Sequence, residues 1–228
     1  MALKNKNGAG YKVFSVINYI FLTALALLCL LPMIHILAIS LSSKGYVEAN
    51  FVSFFPKGFT TDSYAYIFAN PRFWSALRIS VVKTVLGTLI TTFFTVLLAY
   101  PLSKEDSWFR GRKIYMVLLV IAMLFGGGLV PTYLLVANTL HLKNTIWALI
   151  FPSSIQVFLA IMMMNFFRQL PKSLEEAAFI DGADHFNIML QITIPCSTPI
   201  SGTVMMFAFI NQWNSWFDGL IYSSQPDF

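Results

Sequence analysis

Charge is what this sequence has least of. Only 11% of its 228 residues are charged, against about 25% in a soluble globular domain. Hydrophobic residues make up 57%, and Phe alone occurs 22 times. A water-soluble fold of this size has no interior large enough for that much apolar surface, so lipid is the natural solvent. Cysteine is nearly absent too: Cys29 sits inside the first apolar run and Cys196 follows a charged loop. Their positions exclude metal-ligand spacing and a disulfide framework, and both read as packing residues. Ionisable side chains hardly enter the apolar runs, His35 being the mid-run candidate. That counts against the rival class, an ion-coupled secondary transporter or channel subunit. No nucleophile–base pair or metal-ligand cluster supports a membrane enzyme. Gly126-Gly127-Gly128 lacks the Lys-Ser/Thr of a phosphate-binding loop, so the chain is not expected to hydrolyse ATP itself.

What is present is a set of long apolar runs. A spanning helix needs about 20 mostly apolar residues, and five runs qualify, at about 16–40, 80–102, 114–137, 145–167 and 200–222. They predict an all-α, polytopic transmembrane helix bundle. The charge-free stretch 13–43 is far longer than the apolar core of a secretory signal and reads as a retained anchor. The net charge of +5 lies in short clusters between the runs, which fits membrane topology better than nucleic acid. With the N-terminus inside, the inner segments hold Lys4, Lys6, Lys12, Lys104, Arg110, Arg112, Lys113, Arg168 and Lys172. The outer segments hold Lys44, Lys57, Arg72, Arg78 and Lys143. The positive-inside rule therefore predicts a cytoplasmic N-terminus. Segment 41–79, rich in Phe, Tyr, Pro and Asn, is expected to form an outside cap. Trp74, Trp108 and Trp147 fall near predicted helix ends, where indoles favour the interface. The three glycines before Pro131 weaken the third helix, either for close packing or for a pathway lining.

Segment 168–199 is the one stretch that does not belong in lipid. A turn needs only a few residues, yet this loop carries Glu175, Glu176, Asp181 and Asp184. Ser173-Leu174-Glu175-Glu176 matches a capping box, with Ser173 starting a short helix and Glu176 reaching back. Phe179, Ile180 and Ala183 would share one face, and Ala177, Ala178, Asp181 and Gly182 another. Gly182 would end this helix and Asp184 would cap a second one. Such a helix-turn-helix offers small side chains and carboxylates to a partner protein; the alternative is a solvated, well-capped loop.

Glu176-Ala177-Ala178-x3-Gly182-x9-Ile192-x-Ile194-Pro195 resembles the EAA signature of ABC importer permeases, whose usual ending is Ile-x-Leu-Pro. Ile194 is the departure. Asn70-Pro71-Arg72-Phe73-Trp74, Phe109-Arg110-Gly111-Arg112-Lys113, Asn144-Thr145-Ile146-Trp147, Phe166-Phe167-Arg168-Gln169-Leu170-Pro171 and Trp213-Asn214-Ser215-Trp216-Phe217 also resemble the carbohydrate permeases of the maltose-transporter type. Stretch 126–133 is similar to the lipoprotein-linked oligosaccharide subgroup.

The resemblance implies a permease subunit of an ATP-driven importer, forming half of a sugar pathway in the bacterial cytoplasmic membrane. Its implied partners are a second permease, two ABC ATPase subunits that bind ATP and Mg, and an extracytoplasmic solute-binding protein. It implies no cofactor on this chain, and a sixth membrane helix beyond a C-terminally truncated end. The coupling residues would be Glu176, Ala177, Ala178, Asp181, Gly182 and Ala183. Lys83 either snorkels to the interface, as Arg78 does, or faces the pathway and favours an acidic sugar. Trp213, Asn214, Trp216 and Asp218 would contact sugar, the alternatives being helix packing for Trp213 and interfacial anchoring for Trp216.

Overall fold

The computed structural model describes residues 9–105 and 108–224. Lys4 and Lys6 lie outside them. Among the described residues the secondary structure is helical, with one isolated bridge between Ser42 and Phe59, so the all-α expectation holds. Two units are distinguishable, one up to Phe73 and one from Trp74 onward.

The first unit is built on α1 (Ala9–Ser40), which keeps Pro32 inside it. Its apolar side chains are exposed over most of its length. α2 (Lys44–Glu48) and α3 (Asp62–Ala69) follow. The chain folds back at the end of α1: Thr60 N donates to Leu41 O at 3.1 Å, and Ser40 Oγ bonds Tyr64 Oη at 2.8 Å. His35, the mid-run candidate, bonds the Ser53 carbonyl at 2.7 Å through Nδ1. It is therefore tied to this fold-back rather than placed alone in lipid.

The second unit is organised by α4 (Pro71–Ser103), whose first turn contains the boundary between units. At 33 residues it is about 50 Å long, against a hydrocarbon thickness of about 30 Å. It begins nine residues before the expected run at 80, because Arg72 and Arg78 end the apolar run without ending the helix. The expected cap is correspondingly shorter. α4 packs through small and hydroxylated side chains: Thr84, Gly87, Thr88, Thr91, Thr95 and Ala99 are buried. They recur every three or four residues and form one stripe, which lets neighbouring helices approach closely. Thr84 and Thr88 return their hydroxyl protons to the carbonyls of Ser80 and Thr84, so the stripe is polar in composition but quiet in hydrogen bonding.

The remaining runs are broken. α5 (Arg112–Leu124) and α6 (Leu129–Tyr133), which continues as a wide turn over Leu134–Thr139, differ in direction by 110°. The glycines between them permit this reversal, and Gly128 takes φ +79°. α7 (Ile146–Ile150) and α8 (Val157–Phe167) are bent by 52°. Thus, among the described residues, two helices are long and apolar enough to cross a membrane unbroken, or up to five crossings if each bent pair counts as one. The core joins α4, α8 and α12 (Thr198–Asn214) through Ala99, Met163 and Val204 among others. The run at 200–222 is not one helix: α12 stops at Asn214 and α13 (Phe217–Tyr222) follows. Cys29 and Cys196 are both free thiols and exposed, so neither packs in a core as expected.

Candidate functional site

Two places collect polar chemistry in the second unit. The first is the segment after α8. Arg168 Nη2 donates to the Leu102 carbonyl at 3.1 Å, fastening the end of α8 to the end of α4. α9 (Lys172–Ile180) begins after Pro171, which occupies the N-cap with φ −60° and ψ 123°. The expected capping box does not form, and no side chain caps this helix. Pro171 is already extended and pre-set to launch a helix, so Ser173 falls inside α9 rather than before it. Glu175 instead pairs with Lys104, and Lys172 pairs with Glu105. Freed from capping, Glu176 is exposed.

Helical geometry then sorts the loop. Glu175, Ala178 and Phe179 share the inward face, and Ala178 is buried. Ala178 is therefore not part of the exposed surface, contrary to expectation. Its i, i+3 and i+4 partners on that face hold it against the chain. Ile180, expected on one face with Phe179 and Ala183, is 86% exposed on the face of Glu176 and Ala177. An apolar side chain at the tip reads as core when only hydrophobicity is weighed. Its phase relative to Glu176 was the signal for exposure. Ala177, Asp181 and Gly182 are exposed and Ala183 is half-buried.

The turn after α9 is tightly specified. Gly182 has φ +82°, its N–H bonds Phe179 O at 3.0 Å, and Ala183 N bonds Ala178 O at 2.9 Å. This pair is a Schellman termination, as expected for Gly182. Asp184 Oδ1 accepts from Asn187 N at 2.9 Å and caps α10 (His185–Ile188), also as expected. A wide turn over Met189–Thr193 and α11 (Ile194–Cys196) lead into α12, with an 85° change of direction. Trp108 stacks on Phe179 at 4.8 Å, and His185 meets both rings edge-on. The helix-turn-helix is thus clamped to the α4–α5 connection by two ion pairs and an aromatic cluster.

The second place lies at the broken end of α12. Lys83 is 6% exposed. Its Nζ donates to Ser215 O at 2.6 Å and to Ser215 Oγ at 2.5 Å. Ser215 Oγ donates in turn to Asp218 Oδ2 at 3.0 Å. Lys83 is therefore tied to the end of α12, where a buried ammonium gains from a carbonyl and a hydroxyl acceptor. One turn along α4, Gly87 leaves room for the fully buried Gln212, whose Cδ would lie 2.6 Å from a Cβ there. Gln212 Nε2 donates to Ser153 Oγ at 3.0 Å. Sequence reading missed Gln212; an amide among apolar residues near the end of the helix, beside Asn211 and Asn214, was its signal. Asp218 is occupied by Ser215, whereas Trp213 and Asn214 are exposed, Trp213 stacking on Phe209 at 6.1 Å. Of the four expected pathway residues, Lys83 and Asp218 are brought together through Ser215, whereas Trp213 and Asn214 stay outside that network. Among the described residues no His/Cys/Asp/Glu group could hold a metal ion.

No protein-family model matches the chain. It is 39% identical over 211 residues to Protein LplC of Bacillus subtilis (strain 168), covering 92% of this chain and 70% of that protein. It is 38% identical over 211 residues to the polygalacturonan/rhamnogalacturonan transport system permease protein YtcP of the same organism, covering 92% and 73%. The crystal structure of a bacterial ABC transporter involved in the import of the acidic polysaccharide alginate matches with a TM-score of 0.88 and 27% identity, over 96% of this chain and 78% of that one.

The chain belongs to the permease subunits of carbohydrate ABC importers.

The permease is accordingly a membrane protein and a subunit of an ATP-driven importer of sugars or oligosaccharides. It works with other transporter components. Its EAA stretch is the helix-turn-helix just described, so the signature and the exposed tip coincide.

Proposed function

We propose that this permease imports an acidic oligosaccharide and that α9 docks on an ABC ATPase subunit through Glu176, Ala177, Ile180, Asp181 and Gly182. The observation that carries the docking is Ile180, 86% exposed beside residues too small to hinder a partner's approach. A large apolar side chain held in water on a rigid tip is an interface anchor in waiting. Ala178 supports this surface from behind, and Ala183 lies at its edge. The acidic substrate is supported by the polygalacturonan/rhamnogalacturonan permease and by the alginate importer among its likenesses.

In this reading the chain pairs with a second permease in the bacterial cytoplasmic membrane, N-terminus inside. An extracytoplasmic binding protein delivers the sugar. Two ATPase subunits bind ATP and Mg, and their closure moves α9 and with it the bundle between two states.

The test is reconstitution of the permease pair, the ATPase and the binding protein in vesicles. Oligogalacturonate should stimulate ATP hydrolysis and enter the lumen. Ile180→Asp should leave stability within about 0.5 kcal/mol while lowering stimulated hydrolysis about tenfold, the loss of one anchor. Full stimulation in Ile180→Asp would remove the docking assignment; no uptake of oligogalacturonate by the wild-type complex would remove the substrate.

A further inference from the structure

We propose that Lys83 is a positioning residue for translocation, clamping the broken end of α12 to α4 so that movement of α9 reaches the chain around Trp213 and Asn214. The inference extends the proposed docking of α9 and rests on it. α12 ends at Asn214 with Ser215 as its C-cap. A terminating helix leaves its last carbonyls without intrahelical partners, and in an apolar surrounding each needs a donor. Lys83 supplies one to Ser215 O at 2.6 Å. Its positive charge also sits at the negative end of the α12 dipole. Through Ser215 Oγ the same ammonium reaches Asp218 in α13. One side chain thus joins α4, the end of α12 and the start of α13.

The other end of α4 is held as firmly. Leu102 O accepts from Arg168, and Lys104, just beyond the helix, pairs with Glu175 of α9. Between Lys83 and Leu102 the helix is unbroken, a rod of about 30 Å. The fifth run is interrupted beside the clamp, so displacement of α4 acts on a joint rather than on a stiff helix. Lys83 is 6% exposed and spends donors on protein acceptors, which argues for a mechanical link over a sugar contact.

The experiment uses the complete importer in vesicles, with oligogalacturonate-loaded binding protein outside, and reads sugar transported per ATP hydrolysed. Lys83→Met should lower this ratio about tenfold, within the range of coupling changes seen for residues that touch neither ligand. Lys83→Arg should return it to within about twofold of wild type, since it restores charge and donors. Adding Asp218→Asn to Lys83→Met should cost nothing further, because both remove one bridge. An unchanged ratio in Lys83→Met, or additive losses in the double variant, would overturn the proposal. If Lys83→Met does not assemble, Asp218→Asn alone decides: a lowered ratio supports the bridge and an unchanged one overturns it. A wild-type complex that hydrolyses ATP but moves no oligogalacturonate would count against the substrate reading, not the bridge. Loss of stimulated hydrolysis in Lys83→Met but not in Ile180→Asp would count against the docking of α9.

Discussion

The α9 segment and the end of α12 both interrupt an apolar bundle, yet they handle polarity in opposite ways. Around α9 the charges are numerous and the outer pair is wet: the Lys172 and Glu105 side chains are 72% and 60% exposed. Their pairing orients the loop and contributes little else, because water competes for each partner. At the end of α12 there is one ammonium, one hydroxyl and one carboxylate, with the ammonium buried. Each group there has been matched, since an unmatched charge would be expelled or neutralised. The loop can tolerate change in its outer charges but not in its shape; the bridge can tolerate neither.

The largest expected break in that contrast is Lys83→Met. It leaves Ser215 O without its donor and removes the positive charge that Ser215 Oγ links to Asp218, and should cost about 3 kcal/mol, as removal of one partner of a buried pair does. The midpoint of thermal unfolding in detergent would show it, and an unchanged midpoint would mean that the bridge is dispensable. Gly87→Ala comes next. The added Cβ lies 2.6 Å from Gln212 Cδ and 2.8 Å from Nε2, so overpacking should cost about 2 kcal/mol in the same assay. Gly182→Val probes the loop instead. Nothing surrounds the Gly182 Cβ position, but φ +82° makes a side chain there cost about 1–2 kcal/mol. That strain should loosen the turn after α9 and lower stimulated ATP hydrolysis, with the bundle's unfolding midpoint little changed.

The smallest effect should come from the Glu105–Lys172 pair. The hydrogen bond from Lys172 holds the Glu105 carboxyl below the usual carboxylate range, and the same bond raises the Lys172 ammonium. For Glu105 the stabilisation is present above the carboxylate's unfolded value and is lost as pH falls through the lowered folded one. For Lys172 it is present below the unfolded ammonium value and is lost as pH rises through the raised folded one. Lys172→Gln should therefore differ from wild type only between those limits, and the difference should shrink in 1 M salt. A difference that persists in acid or in high salt would show that the pair is not screened surface chemistry.

Much of the loop was legible because its rules are local. Gly182 and Asp184 end and start helices through bonds to residues three to five positions away, which spacing reveals. Ser173 misled because Pro171 performs the same task two residues earlier. Ala178 and Ile180 exchanged faces because the phase set by Phe179 against Trp108 turns Ala178 inward and Ile180 outward. The breaks in the third, fourth and fifth runs were harder to place: hydropathy registers apolar length and carries no direction.

The sequence by itself determined the solvent, the helical class and the family signature, since these follow from missing charge, run length and fixed spacing. Only the tertiary structure decided what Lys83 does. Its partners, Ser215 and Asp218, lie more than 130 positions along the chain, and no periodicity links them. They meet because the stripe of Thr, Gly and Ala on α4 lets α12 come close, and because α12 stops where an ammonium can satisfy its last carbonyl.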